Sequence, residues 1–145
     1  MILVMSVNSE SGSIARFGYV SAYDAKKHMA RVIFPDKDNL VSDWLPVVIP
    51  NSKENHDELH LDINEHVFCI MLGNGLEAGA VIGAVYDDKN KPPEGDKDTR
   101  KITFADGTEI LYNRKAHELK INCVGNITIH ADGNMNISAA RIDLN

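Results

Sequence analysis

From residue 119 onward the chain repeats itself. Apolar pairs recur as Leu119/Ile121, Ile127/Ile129, Met135/Ile137 and Ile142/Leu144, at offsets of eight, eight and seven residues. Within "GNITIHADGNMNIS", residues 125–138, one phrase is stated twice, as Gly-Asn-Ile-Thr-Ile-His and then Gly-Asn-Met-Asn-Ile-Ser. Each pair stands in the i, i+2 relation, which turns one side of a short extended segment inward. Gly125, Asn126, Gly133, Asn134 and Ala139 fall between pairs and let the chain bend. A single chain of this kind buries only a narrow stripe. That stripe is too little to offset the roughly 1–2 kcal/mol that ordering each residue's backbone costs, so something must cover it. An unrelated partner needs no repeat, whereas copies of the same chain around an axis do. Three copies about a threefold axis give a prism with the Leu, Ile and Met side chains inside and Thr, Asn, Lys and Asp outside. Its backbone bonds run between chains and leave few open sheet edges. The simpler alternative, strands that add a sheet to the front of the chain, accounts less well for the regular spacing.

The front of the chain has a different pattern. From Ile14 to Tyr86, short alternating runs separated by turn residues predict β-strands rather than helices. "ARFGYVSAYD" reads as a first strand with Phe17, Tyr19 and Ser21 on one face. "KKHMARVIF" reads as a second, joined to the first by the tight turn "DAKK"; "WLPVVI", "EHVFCIML" and "AVIGAVY" follow. Five strands with no amphipathic helix point to a small barrel of the oligonucleotide/oligosaccharide-binding (OB) kind. The charged stretch "DDKNKPPEGDKD", Asp87 to Asp98, has paired prolines and no apolar anchor, and it holds the domain boundary. The expected organisation is an arm at 1–13, an OB-fold domain at 14–88, a linker at 89–100 and a β rod at 101–145. Within the rod, "RKITFADGTEILYN" carries a hairpin signal around Asp106-Gly107.

With 145 residues the chain is one standard domain, or a smaller one with an extension. The net charge is −6. Residues 1–100 hold 10 basic against 16 acidic side chains, and 101–145 hold 5 of each. The excess acid on the front and the lack of a basic stripe argue against a nucleic-acid partner. Cys69 and Cys123 lie in alternating apolar runs and are expected to be buried free thiols, which fits a reducing compartment. "MILVMSV" at the start is too short, and lacks the positive flank, for a signal peptide or membrane span.

No catalytic, metal or cofactor constellation is legible, so none is expected. Ser42, Cys69, His28, His56, His60, His66 and His117 show no nucleophile–base signature. His56 and His60 face one another only if their segment is helical, so a solvated loop is expected there. "GNGLEAG", 73–79, lacks the Lys-Ser/Thr of a phosphate cradle and reads as a hairpin turn. Trp44 is expected as a core or subunit-interface anchor. The working residues are therefore the axial ones, Leu119, Ile121, Ile127, Ile129, Met135, Ile137, Ile142 and Leu144.

The ordered combination of "GYVSAYDAKKHMARVIFPDKDNLVSDWLPVV", with Ser42-Asp43-Trp44-Leu45-Pro46 at its centre, "VFCIMLGNGLEAGAVIGAVYDDKNKPP", "FADGTEILYN" and "GNITIHADGNMNIS" resembles phage baseplate assembly protein V. This is the central spike family of contractile tails, bacteriocins and phage-like particles. The resemblance spans roughly residues 14–138 and rests on the order of the pieces. It implies a homotrimer: an OB-fold collar, then an intertwined triple-stranded β-helix on the tail axis. It also implies a tail hub protein above the collar, assembly in the bacterial cytoplasm and mechanical passage through a target cell envelope. The valine-glycine-repeat spikes of type VI secretion share that architecture. Several members of the family end in an apex where a His-x-His motif ligates a metal. Here His130 has no such partner and is expected to point outward. The chain stops at Ile142-Asp143-Leu144-Asn145 still within the repeat, so a separate small tip-capping protein, or a shortened chain, is expected. The rival reading is a monomeric OB-fold module for nucleic acid or saccharide; a secreted hydrolase is a weaker third.

Overall fold

The computed structural model describes residues 14–73 and 78–144. Among these residues the chain is all-β, with nine strands, one 3-10 turn and no α-helix. The expected arm at 1–13 and the tip of the Gly73–Gly79 turn lie outside the described residues. The chain divides into two compact units, Met1–Pro92 and Pro93–Asn145.

In the first unit β1 (Ala15–Asp24) pairs with β2 (Met29–Phe34). The "DAKK" turn between them forms because Asp24 Oδ1 accepts the N–H groups of Lys26 and Lys27 at 3.0 and 3.2 Å, and His28 closes it at φ 54°. β2 also pairs with the two-residue strands β3 (Leu40–Val41) and β4 (Leu45–Pro46). β5 (His66–Met71) lies against the other edge of β1, and β6 (Gly79–Ala84) lies beyond β5. Val47, just past β4, bridges Val81 of β6 in parallel, and Val48 N–H donates to Val81 O at 2.9 Å. The path β1–β2–β4–β6–β5 therefore returns to β1.

Inside that ring sits the core: Val20, Ala30, Val32, Phe34, Leu45, Val67, Cys69, Met71 and Val81. The period of two along β1, β2 and β5 delivers these residues inward. On β1 the inward residues are Arg16, Gly18 and Val20, so Phe17 and Tyr19 share the outer face; a register shift between Val20 and Ala22 interrupts the alternation at Ser21. "WLPVVI" yields only β4 and the Val47 bridge, because Pro46 has no N–H to continue a ladder.

In the second unit β7 (Thr99–Thr103), β8 (Glu109–Asn113) and β9 (Glu118–Asn122) form a three-stranded antiparallel sheet. The expected linker, 89–100, overruns into β7: Thr99 and Arg100 pair with Asn113 and Tyr112, a polar start that carries no apolar signal. The β7–β8 hairpin turns at Asp106-Gly107, where Gly107 takes φ 91° and Asp106 Oδ1 accepts Thr108 N–H at 2.9 Å. The β8–β9 turn repeats the device of the first unit. Asn113 Oδ1 accepts the N–H groups of Lys115 and Ala116, both at 3.0 Å, and His117 closes the turn at φ 55°. No strand or helix is assigned from 123 to 144.

Gly18 marks a close approach of β1 to β2. A Cβ there would fall 2.5 Å from the Ile33 carbonyl oxygen and against Val32 Cγ1, and the carbonyl is backbone that cannot turn aside. Gly18→Val is expected to lower unfolding stability by about 2 kcal/mol or more through overpacking, seen as a lower urea midpoint. A midpoint equal to the parent's contradicts this packing.

Candidate functional site

Cross-strand partners in a sheet share a face, so the register of the second unit fixes which side chains stand together. Ile102 is opposite Ile110 and Ile110 is opposite Ile121; Tyr112 is opposite Leu119. These five form one continuous apolar face. It is exposed along its whole width, while Lys101 and Glu109 on the other face are half-buried and ion-paired at 3.6 Å. An isolated amphipathic sheet would cover its apolar side first. Here the apolar side is the open one.

Beyond β9 the same condition continues. Ile127, Met135, Ile137, Ile142 and Leu144 are all exposed, and Ile129 is 72% exposed. Among the described residues, the backbone groups of 125–144 make no backbone–backbone hydrogen bond. The last backbone donor tied to the sheet is Val124 N–H, which reaches Thr108 Oγ1 at 3.2 Å. Of the eight axial residues expected from the repeat, the fold therefore brings Leu119 and Ile121 onto the sheet face. It leaves the other six uncovered along the strandless stretch. Ile102, Ile110 and Tyr112 belong to the same face. Their signal was the i, i+2 spacing in "ITFADGTEILY", which marks a hairpin before it marks a shared surface.

The first unit holds the residues that invite a chemical reading. Ser42 is fully buried; its hydroxyl donates to Asp43 O at 2.7 Å and accepts Val32 N–H at 2.9 Å. It ties the chain between β3 and β4 to β2. Cys69 is buried in the core, and burial pushes its thiol up to about 11, so at neutral pH it is a protonated, unreactive sulfur. Cys123 is also a free thiol but is only half-buried, which departs from the expected burial because it lies just past the last strand; its Sγ lies 3.6 Å from Asn126 O. Trp44 is 39% exposed rather than in the core; Leu45 beside it takes the buried place, and the Arg31 guanidinium lies 6.0 Å from the Trp44 ring. Arg16 is buried and reaches Asp36 Oδ2 at 2.9 Å, joining β1 to the 3-10 turn Pro35–Lys37.

His56 and His60 lie in a non-helical loop, as expected. His60, however, is not simply solvated: its Nδ1 lies 2.9 Å from Tyr23 Oη, which lies 2.7 Å from His28 Nδ1. Sequence reading missed this cluster because His60 stands 37 residues from Tyr23. Among the described residues no group of three or more His, Cys, Asp or Glu is placed to hold a metal ion. His130 is exposed, with Nε2 at 3.1 Å from Asp132 Oδ1. No helix among the described residues is long and apolar enough to cross a membrane. No protein-family model matches this chain, and no curated protein matches it.

The raised Cys69 value has two consequences. The folded state prefers the thiol, so its contribution to stability is complete below the ordinary thiol value of 9.0 and is lost as pH rises toward about 11. At pH 8, alkylation of Cys69 is expected only after denaturation, with Cys123 labelled first when mass spectrometry follows the two sites. Equal labelling of the two in the folded protein contradicts the burial.

Proposed function

We propose that this chain is the central spike of a contractile-tail baseplate, a homotrimer whose second unit becomes an intertwined triple-stranded β-helix. One observation carries the reading: an apolar face and an apolar repeat, both uncovered, the repeat running on into a segment whose backbone groups make no backbone–backbone hydrogen bond among the described residues. Extended backbone satisfies its donors and acceptors only against other extended backbone or water, and water cannot cover Ile, Leu and Met. Three copies satisfy both needs at once, since each chain's strands hydrogen-bond to its neighbours while the eight-residue pairs meet on the axis. Ile102, Ile110 and Tyr112 then continue the axial core toward the front of the chain.

The first unit supports the collar role. Its path of strand pairings, closed by the parallel contact of Val47 and Val48 with Val81, is what a five-stranded OB barrel requires. The spike role itself comes from the resemblance over residues 14–138. In that role the protein performs no chemistry. Sheath contraction supplies the work, and the stiffness of the shared rod transmits it through the target envelope. A tail hub binds above the collar, and a separate small tip protein is a further expected partner. Assembly takes place in the bacterial cytoplasm, where the two free thiols are stable.

The test is the mass of the full chain in solution. A species three times the 16.0 kDa of one chain, resistant to warm detergent, is expected. Ile129→Asp sets three unpaired carboxylates on the axis at several kcal/mol each, and it is expected to convert that species to monomer. A monomeric parent protein, or a detergent-resistant trimer carrying the aspartate, contradicts the proposal.

A further inference from the structure

The segment 51–60 is held to the first unit by very little. Its residues are exposed, and its internal bonds are local: a Ser52–His56 bridge and a His60 Nε2 to Glu58 Oε1 contact at 3.0 Å. Among the described residues, the one hydrogen bond that ties it to the rest of the unit runs from His60 Nδ1 to Tyr23 Oη. That hydroxyl also bonds His28 Nδ1, and the two imidazole rings lie 5.9 Å apart.

Proton accounting along this chain leaves one neutral arrangement. Glu58 is an acceptor, so His60 carries its proton on Nε2 and presents a bare Nδ1. Tyr23 donates its O–H to that nitrogen. The remaining Tyr23 lone pair accepts Nδ1–H from His28, whose Nε2 is then bare. This agrees with the burial, since His28 Nε2 is a buried atom without a hydrogen-bond partner; a bare nitrogen tolerates that position better than an N–H. Burial, then the Glu58 and Asp24 carboxylates, raise Tyr23 above its ordinary value and keep its hydroxyl protonated.

One further proton has no comfortable place. On His28 it creates an N–H at the buried Nε2 with nothing to accept it. On His60 Nδ1 it turns an acceptor into a donor, and Tyr23 must either swing its O–H to His28, which again drives a proton to the buried Nε2, or lose both imidazole acceptors. Among the described residues, the other charged and titratable groups bordering this place, Asp24, Lys53, His56, Asp57 and Glu58, make no hydrogen bond to His28, and of them only Glu58 bonds the His60 side chain. We propose that Tyr23, His28 and His60 form a proton-gated latch that fastens residues 51–60 to the β1–β2 hairpin at neutral pH and releases them on acidification. The latch lies within the first unit and does not depend on the trimer.

Histidine-selective nitrogen NMR on the full chain tests this directly. At pH 7.5, His28 is expected as the less common Nδ1–H tautomer and His60 as Nε2–H. The cross-peak between the Tyr23 and His60 rings is expected to be lost once acidification has protonated the imidazoles. Tyr23→Phe keeps the ring and removes the relay, so its His28 is expected to revert to Nε2–H and its His60 contact to be absent already at pH 7.5. His28 found as Nε2–H in the parent protein overturns the latch. So does a Tyr23–His60 contact that survives full protonation of both imidazoles, a result that needs no variant to fold.

Discussion

Backbone amides out of water must be paired, and in this molecule that requirement falls hardest on the last twenty or so residues. The segment 125–144 holds no assigned strand or helix, carries apolar residues at the paired positions of its repeat, and makes no backbone–backbone bond within its own chain among the described residues. Side-chain bonds do not compensate. They are local and exposed: His130 to Asp132 and Arg141 to Asp143. Covering a Leu, Ile or Met fully contributes about 1.5–3 kcal/mol, and pairing the amides removes the reason for them to stay in water. Both gains become available only together, when strands of other chains lie alongside. Under the proposed function, association about an axis is what orders this segment, and the apolar repeat, absent from the front of the chain, is the feature that association would use.

The first unit solves the same requirement locally. Its strand pairings close on themselves through Val47 and Val48 against Val81, so the ring supplies its own partners and the interior is filled by nine apolar side chains. Close approach at Gly18 draws β1 and β2 together, Ser42 stitches β2 to the β3–β4 connection, and Arg16 with Asp36 anchors the turn after β2. One unit is therefore complete in a single chain and the other is not. If the chain is the proposed trimeric spike, this asymmetry favours a first unit that folds before the second units associate.

Much of this was legible in the residues. The alternation in "ARFGYVSAYD", "MARVIF" and "HVFCIM" marked β1, β2 and β5 because each strand buries one face, and period two survives wherever that holds. Asp24 and Asp106-Gly107 announced their turns, whereas the Asn113 turn before β9 emerged only in the structure. β3 and β4 were not legible as separate strands, since two residues carry no period. The shared face of Ile102, Ile110 and Ile121 was hidden because register, not composition, puts those residues side by side. The Tyr23–His28–His60 cluster was invisible for a different reason: the ring of strands brings His60 back to a hairpin far earlier in the chain. Of the two places expected for Trp44, its exposure disfavours the core and leaves the subunit interface, while Ser42 and Leu45 are the buried residues of that motif.

Amide hydrogen exchange over residues 125–144 in the full-length protein measures the central requirement itself. If strands of neighbouring chains pair with this segment, its amides exchange at least about a thousandfold more slowly than in an unstructured peptide, comparable to core strands. Exchange at the free-peptide rate across the segment, in protein whose first unit remains protected, contradicts the shared rod.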